Sequence, residues 1–239
     1  NEFSEVYKLG FFIRSFLLRF HIFAGLSYTS PNRNTRIAKS ATIIIVMQSY
    51  KLSFTALGLA LADSIKVAEV FLACEDWALT RQILTENNLL QSRTLSRNKR
   101  VIHELLQRLS LLTQEQLLLL VEGSLEEQKL LLWFAVCKTY TFIRDFAIEV
   151  LHQKFLVMDT MLTSNDVNAF FLQKVDSHEE LERITESTKA KLLSQVFHML
   201  QEANLVNTSN QIIRVIPTRR LAFALSPDAD FAYRIYPAF

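Results

Sequence analysis

Glycine, proline and cysteine are all scarce in this chain of 239 residues, which contains 4 Gly, 4 Pro and 2 Cys. Tight turns depend on glycine and proline, so their scarcity argues against an all-β protein. Four scattered glycines also exclude a glycine-rich phosphate loop, which needs several within a few residues. Cys74 and Cys137 lie far apart, with no CxxC and no histidine pair at metal spacing, so we expect no structural zinc. This cysteine usage suits a reducing compartment, and we predict a cytoplasmic protein without metal or cofactor.

The net charge of +2 conceals an uneven distribution of charged residues. Residues 1–46 carry six Lys or Arg against two acidic residues, whereas the remaining residues carry 20 against 22. The protein is therefore not basic as a whole. Any site for an anion must come from a local cluster of cations.

The first 46 residues differ from the rest of the chain. Residues 9–26 (LGFFIRSFLLRFHIFAGL) are strongly apolar, but Arg14, Arg19 and His21 interrupt them, which argues against stable membrane insertion. Two interpretations remain open: a helix on a membrane surface, or a segment upstream of the natural start. We favour the second, because the first methionine is Met47 and the regular pattern begins directly after it. Residues 1–46 are therefore predicted to be an extension.

From residue 47 onward, the sequence carries a series of helix start signals. A Ser or Thr three residues before Glu or Gln forms a capping box, in which each side chain bonds the other residue's backbone N–H. Such boxes are predicted at Thr113–Gln116, Ser124–Glu127 and Ser177–Glu180, with a weaker relative at Thr163–Asp166. Single Asp caps are predicted at Asp63, for a helix over 64–74, and at Asp76, for a helix over 77–86. Residues 113–160 are apolar on most faces and are predicted to form the core of a bundle.

The last third of the chain has a different pattern. An amphipathic helix is predicted over 188–203, followed by two short β-prone runs at 205–206 and 211–216 around an Asn-rich turn. A helix followed by a hairpin is the outline of a winged helix. The predicted fold class is therefore mainly α: a multi-helix bundle with a C-terminal winged-helix-like unit carrying a short β-hairpin. We predict a helical domain over 47–160 and a C-terminal domain over 161–239.

Residues 89–112 (LLQSRTLSRNKRVIHELLQRLSLL) carry five cations against one acid, Glu104. At about 100° per residue, the leucines, Val101 and Ile102 share one face, and most of the cations lie opposite. The helix start, with Ser96 as the expected cap, adds free N–H groups and the positive end of the dipole, which favour a phosphate. The predicted DNA-binding residues here are Arg93, Thr94, Ser96, Arg97, Lys99, Arg100 and Arg108. A solvated polar face would look similar, but the scarcity of compensating acids favours binding.

A second, smaller set of candidate DNA contacts lies in the C-terminal domain. Its members face outward from the predicted helix or lie on the predicted wing, and they are Lys189, Lys191, Gln195 and Arg214. Scattered solubilising charge explains these four residues equally well.

The sequence contains no catalytic signature. The histidines are isolated, no HExxH motif occurs, and no nucleophile elbow is present. Asp145 and Glu149, with Arg144 alongside, suit a salt-bridged helix better than a catalytic pair of carboxylates. We therefore expect no enzymatic activity and no small-molecule substrate.

Several stretches of the chain resemble the BrxA family of bacterial BREX phage-defence systems. They are FTA at 54–56, DW at 76–77, residues 89–109, the run TQEQLLLLVEGSLEEQKLLLWFAVCKTYTFIRDFAIEVL at 113–151, and ITESTKAKLLSQVFHMLQEANL at 184–205. The resemblance extends from about Ser49 to about Pro217. It implies a mostly helical, non-enzymatic DNA-binding component of a multi-protein defence apparatus, with other BREX proteins as partners.

Three functions remain open for the basic segment. The leading hypothesis is binding of double-stranded DNA, mainly through phosphate contacts, which position a protein without reading sequence. The alternatives are a protein-interaction adaptor, whose basic face docks on an acidic partner, and an RNA-binding helical protein.

Overall fold

This computed structural model describes residues 49–237. Most of its α-helices begin where the sequence supplies a capping side chain. A short 3-10 helix at Ser53–Ala56 comes first. The α-helices are α1 (Leu61–Cys74), α2 (Trp77–Glu86), α3 (Leu95–Leu109), α4 (Gln114–Glu122), α5 (Leu125–Thr139), α6 (Thr141–Phe146), α7 (Gln153–Leu156), α8 (Ser164–Val175), α9 (Glu179–Glu182), α10 (Glu186–Glu202), α11 (Arg219–Ala224) and α12 (Ala229–Ile235). The predicted extension over 1–46 lies outside the described residues.

Four of the predicted helix starts are confirmed. The Asp76 carboxylate accepts hydrogen bonds from the backbone of Ala78 and Leu79, at 2.6 and 3.0 Å. Complete capping boxes open α4, α5 and α8, at Thr113–Gln116, Ser124–Glu127 and Thr163–Asp166. In each case a local side chain satisfies backbone N–H groups that the helix itself leaves without a partner.

Two predicted caps are displaced by a few residues. The first helix begins at Leu61 rather than after Asp63, and Ala60, in a left-handed conformation with φ 51°, precedes it. The basic helix begins at Leu95, so Thr94 and not Ser96 is its cap, and the Thr94 hydroxyl accepts from the Arg97 N–H at 3.3 Å. Thr94 adopts the extended backbone that a cap residue needs.

The predicted capping box at Ser177–Glu180 is wrong. The short helix α9 begins at Glu179, after His178, and no side chain caps it. Glu180 instead accepts a hydrogen bond from the backbone N–H of Tyr50 and contacts the His178 ring nitrogen Nδ1 at 3.1 Å. A distant backbone group has therefore taken the carboxylate that the local motif would use.

Helix α5 lies at the centre of the bundle. All eight residues from Leu130 to Cys137 are buried, and α5 packs against α1, α3, α4, α6, α10 and α12. The chain's C-terminal end is tied to it by two hydrogen bonds: the Trp133 indole donates to the Ile235 carbonyl, and the Tyr236 hydroxyl donates to the Leu130 carbonyl. A helix that is apolar on all sides needs such a surrounding layer, as the sequence predicted.

The helix that follows α5 contains both α-helical and π-helical segments. Helix α6 continues through a π-helical turn, Ala147–His152, into α7, and α12 packs against this turn. His152 is buried there, with its ring nitrogen Nδ1 3.0 Å from the Tyr236 carbonyl oxygen. The polar ring is thus satisfied within the core, as a buried polar group must be.

The mainly α fold is confirmed, but the winged-helix-like unit with a β-hairpin is wrong. Residues 49–237 contain no strand; the two predicted runs meet only at an isolated bridge between Val206 and Ile212. After the turn, the chain divides its backbone groups among three neighbours, so no ladder of consecutive pairs forms. The bonds are from Ile213 N–H to the Leu205 carbonyl, from Ile212 N–H to the Thr160 carbonyl, and from Val215 N–H to the Pro237 carbonyl.

One apolar core extends through the described chain. It includes contacts across the predicted boundary between 47–160 and 161–239, such as the rings of Phe142 and Phe146 against Phe170, at 5.3 and 5.4 Å between centroids. The predicted amphipathic helix is present as α10, with its apolar face buried. The division into two domains at residue 160 stays a prediction.

A buried arginine connects α3 to the segment that precedes α1. The Arg108 guanidinium, 1% exposed, donates to the carbonyls of Gly58 and Leu57, at 2.5 and 3.0 Å, and pairs with Glu104 at 3.5 Å. Burial lowers the pKa of Arg108 to about 10, against the opposing effect of the Glu104 carboxylate, so the group stays charged at neutral pH. The Leu59 N–H donates to Glu202 of α10 at 2.6 Å, which fixes the same segment from its other side.

We predict that Arg108→Ala destabilises the protein strongly. Removing one partner of a buried ion pair leaves the other charge without compensation, which costs about 3–5 kcal/mol in the free energy of unfolding. Urea denaturation of the purified variant measures this loss. Arg100→Ala, an exposed arginine on the same helix, serves as the control and should change stability by less than about 0.5 kcal/mol. Equal stabilities of the two variants would contradict the role given to Arg108.

Candidate nucleic-acid interface

The exposed side of α3 is a ridge of polar residues. Ser96, Arg100, His103 and Gln107 follow one another at intervals of three or four residues, which places them on one side of the helix. The first three are exposed and Gln107 is half-buried. Opposite this ridge, the predicted apolar face packs as expected, with Ile102, Leu105, Leu106 and Leu109 buried.

Four cations surround the N-terminal half of this ridge, and we call them the cationic cluster: Arg93, Arg97, Lys99 and Arg100. All four are exposed, and no carboxylate of residues 49–237 lies within ion-pair distance of any of them. One neighbouring acid interacts with Arg97 without forming an ion pair. Partial burial raises the pKa of the Asp63 carboxyl, and the positive charge of Arg97 opposes that rise.

The start of α3 adds backbone donors to the cationic cluster. Thr94 and Ser96 are exposed, and the Thr94 hydroxyl is occupied by the Arg97 N–H. The N–H groups of Leu95 and Ser96 belong to the first turn, which has no acceptor within the helix. The positive end of the helix dipole therefore lies among side chains that are themselves positive.

The prediction that Arg108 lies on the exposed face is wrong. Arg97, Glu104 and Arg108 do share one side of α3, but only its N-terminal part is open to solvent. The segment before α1 covers the rest: Ser53 donates to Glu104 at 3.3 Å, and Arg108 donates to the carbonyls of Leu57 and Gly58. Arg108 is therefore a structural residue and belongs to no surface site.

The fold brings two further cations to α3 that the sequence did not single out. The first is Arg81 of α2. It lines a groove of about 390 Å³ between α2 and α3, together with Lys99 and the acidic Glu86. Lys51, upstream of α1, donates to the Gln107 side chain at 2.5 Å, and Gln107 in turn contacts His103 at 2.8 Å. Only tertiary packing places these residues here, since neither has a distinctive local pattern.

The structure exposes only two of the four residues in the second predicted set. Lys191 and Arg214 are exposed, and Gln195 is half-buried. Lys189 is half-buried and lies 5.0 Å from the centroid of the Phe171 ring, in a cation–π contact. These residues are on α10 and in the loop that follows it. Helix α10 packs against α5, α8 and the 3-10 helix at Ser53–Ala56, whereas α3 packs against α1, α2 and α5.

Between residues 49 and 237, no group of three His, Cys, Asp or Glu side chains is arranged to hold a metal ion. Over the same residues, no helix has the length and apolar character that crossing a bilayer requires.

Relatives with known names match the chain over parts of its length. The "BREX protein BrxA" of Bacillus cereus (strain H3081.97) is 30% identical over 116 residues, which cover 48% of this chain and 58% of that protein. The "BREX protein BrxA" of Escherichia coli O9:H4 (strain HS) is 27% identical over 146 residues, which cover 61% of this chain and 68% of that protein. The chain thus spans less than two thirds of the Bacillus cereus relative.

A solved structure and a family model extend the comparison to most of the chain. The crystal structure of an uncharacterized protein from Magnetospirillum magneticum superposes with a TM-score of 0.68, at 19% identity, over 79% of this chain and 98% of that one. This likeness concerns the fold. The model of the BrxA family matches residues 48–228. Because this match covers well over half of the sequence, and both named relatives agree with it, the chain belongs to the BrxA family.

Proposed function

We propose that this protein is the component of a BREX-type phage-defence system that binds double-stranded DNA, mainly through the phosphate backbone. The observation that supports the proposal is the cationic cluster: four exposed cations around the start of one helix, none of them in an ion pair with a carboxylate of residues 49–237. The proposal assigns no catalytic step and no cofactor to the chain, and it includes other BREX proteins as partners.

The cationic cluster suits phosphates better than it suits a solvated surface. Some exposed basic residues elsewhere have acidic neighbours, such as Lys66 with Glu69 at 3.0 Å and Arg183 with Glu179 at 2.5 Å. Others, such as Lys191 and Arg214, have no ion pair with a carboxylate of residues 49–237, but they do not cluster around one helix start. The cationic cluster forms no ion pair with a carboxylate of residues 49–237, and its net positive charge raises the local concentration of an anionic partner. Three to five neutralised phosphates would give a slope of roughly −3 to −4.5 in log K against log salt.

The surroundings of the cluster favour a duplex over a single strand. Proteins that hold single-stranded nucleic acid stack its bases on exposed aromatic rings. Residues 77–112 contain one Trp, Tyr or Phe, which is Trp77, and one face of its ring is already stacked on Phe71 at 3.8 Å between centroids. His103 is the other aromatic ring of this range, so the surface offers few rings for a base. Duplex RNA suits α3 poorly as well, because its major groove is too narrow for a helix.

The double variant Arg97→Ala/Arg100→Ala should bind duplex DNA more weakly at every sequence tested. Two lost phosphate contacts reduce the magnitude of the salt slope by about 1.8. A titration of a fluorescent duplex at several salt concentrations measures both the affinity and the slope. Folding should be retained, because both side chains are exposed.

A matched control is Lys66→Ala/Arg183→Ala, which removes the same charge from exposed positions outside the cluster. This variant should keep the parent slope. If both double variants lose affinity to the same extent, the binding follows net charge and the cluster has no special role.

Competition experiments should rank nucleic acids in a fixed order. Against a labelled DNA duplex, an unlabelled duplex of unrelated sequence should compete equally well, because phosphate contacts do not read bases. Single-stranded DNA and duplex RNA should compete roughly tenfold less well, for want of stacking rings and of an accessible groove. Stronger competition by RNA would support the RNA-binding alternative. Failure to bind any nucleic acid at physiological salt would support the adaptor alternative.

A further inference from the structure

We infer that Lys51 forms a second phosphate contact, and that α3 bridges the two strands of a DNA duplex across one groove. The cationic cluster would hold one strand and Lys51 the other. The inference depends on the proposed DNA binding and adds to it a residue, a geometry and a strand assignment.

Lys51 lies beside the far end of the exposed ridge. Its ammonium group donates to the Gln107 side chain at 2.5 Å, and no carboxylate of residues 49–237 is paired with it. Gln107 is the last residue of the ridge, whereas the cationic cluster surrounds its beginning. Positive charge therefore stands at both ends of the ridge, with the side chains of His103 and Gln107 between.

The separation of the two ends fits a DNA groove. Gln107 follows Arg97 by ten positions, which at 1.5 Å per residue is about 15 Å along the helix axis. The major groove of B-DNA is about 12 Å wide and admits an α-helix. A helix that crosses such a groove can place cations on the phosphates of both its edges.

The backbone at Lys51 is anchored rather than free. Tyr50 is buried, with its ring stacked on His178 at 3.7 Å and its hydroxyl donating to Asp145 at 2.9 Å. Phe54, three residues after Lys51, is fully buried. Burial on both sides fixes the backbone at Lys51 before binding, so a phosphate contact there orders only the lysine side chain.

A duplex with one uncharged strand tests the strand assignment. We would prepare a short duplex of about ten base pairs, one helical turn, and a second copy in which one strand carries neutral methylphosphonate linkages. On the charged duplex, Lys51→Ala should reduce the magnitude of the salt slope by about 0.9, the value for one phosphate. On the half-neutral duplex, the parent protein should place the cationic cluster on the charged strand and Lys51 on the neutral one. Lys51→Ala should therefore leave the salt slope on this duplex unchanged.

Two variants serve as controls for this experiment. Lys51→Arg keeps the charge and should behave like the parent on both duplexes. Lys66→Ala removes an exposed lysine that is paired with Glu69 and should leave both slopes unchanged. Thermal melting of each variant verifies that the fold is kept, as expected for an exposed side chain.

The outcomes separate the inference from the proposed function. Equal losses on the two duplexes would place Lys51 on the same strand as the cluster and overturn the bridging geometry. Parent-like binding of Lys51→Ala to the charged duplex would overturn the contact itself. In either case the parent protein still binds DNA, and the proposed function stands. If the parent does not bind the charged duplex, the inference and the proposed function are both contradicted.

Discussion

The burial of one charged side chain, Arg108, determines how much of α3 is available to a partner. Its guanidinium can be buried only if its donors are satisfied, and the carbonyls of Leu57 and Gly58 satisfy them. These contacts hold the segment before α1 against the C-terminal half of α3. The N-terminal half is left open, and Lys51 is carried to the opposite end. One desolvated ion thus covers one side of the C-terminal half of α3 and leaves the side of His103 and Gln107 accessible.

Local signals in the sequence predicted much of the helical framework. Capping boxes are reliable when both partners lie within one turn and nothing else competes for them, as at Thr113, Ser124 and Thr163. Glu180 shows the opposite case, because a backbone N–H 130 residues away uses its carboxylate. The C-terminal β-prone runs form no hairpin for a related reason: propensity describes a segment's preference for extended backbone, but ladder formation depends on which neighbours are in reach.

The candidate site was predicted in part, and its errors have the same origin. Helical periodicity identified the apolar face of α3 and the exposed positions of Arg97, Lys99 and Arg100. It gives no information about what covers the remaining faces, so it does not reveal that Arg108 is buried. Lys51 and Arg81 could not be found by spacing, since they reach α3 from other elements. Membership of the BrxA family fits the architecture, while the chemistry of the surface rests on these particular side chains.

The close approach at Gly58 has an evolutionary consequence. A β-carbon at this position would lie 2.5 Å from a carboxylate oxygen of Glu202, the group that accepts the Leu59 N–H. Any larger residue would displace that carboxylate and break its hydrogen bond. Substitutions at position 58 should therefore be accompanied by shorter side chains at position 202, and the two positions should covary across homologous sequences.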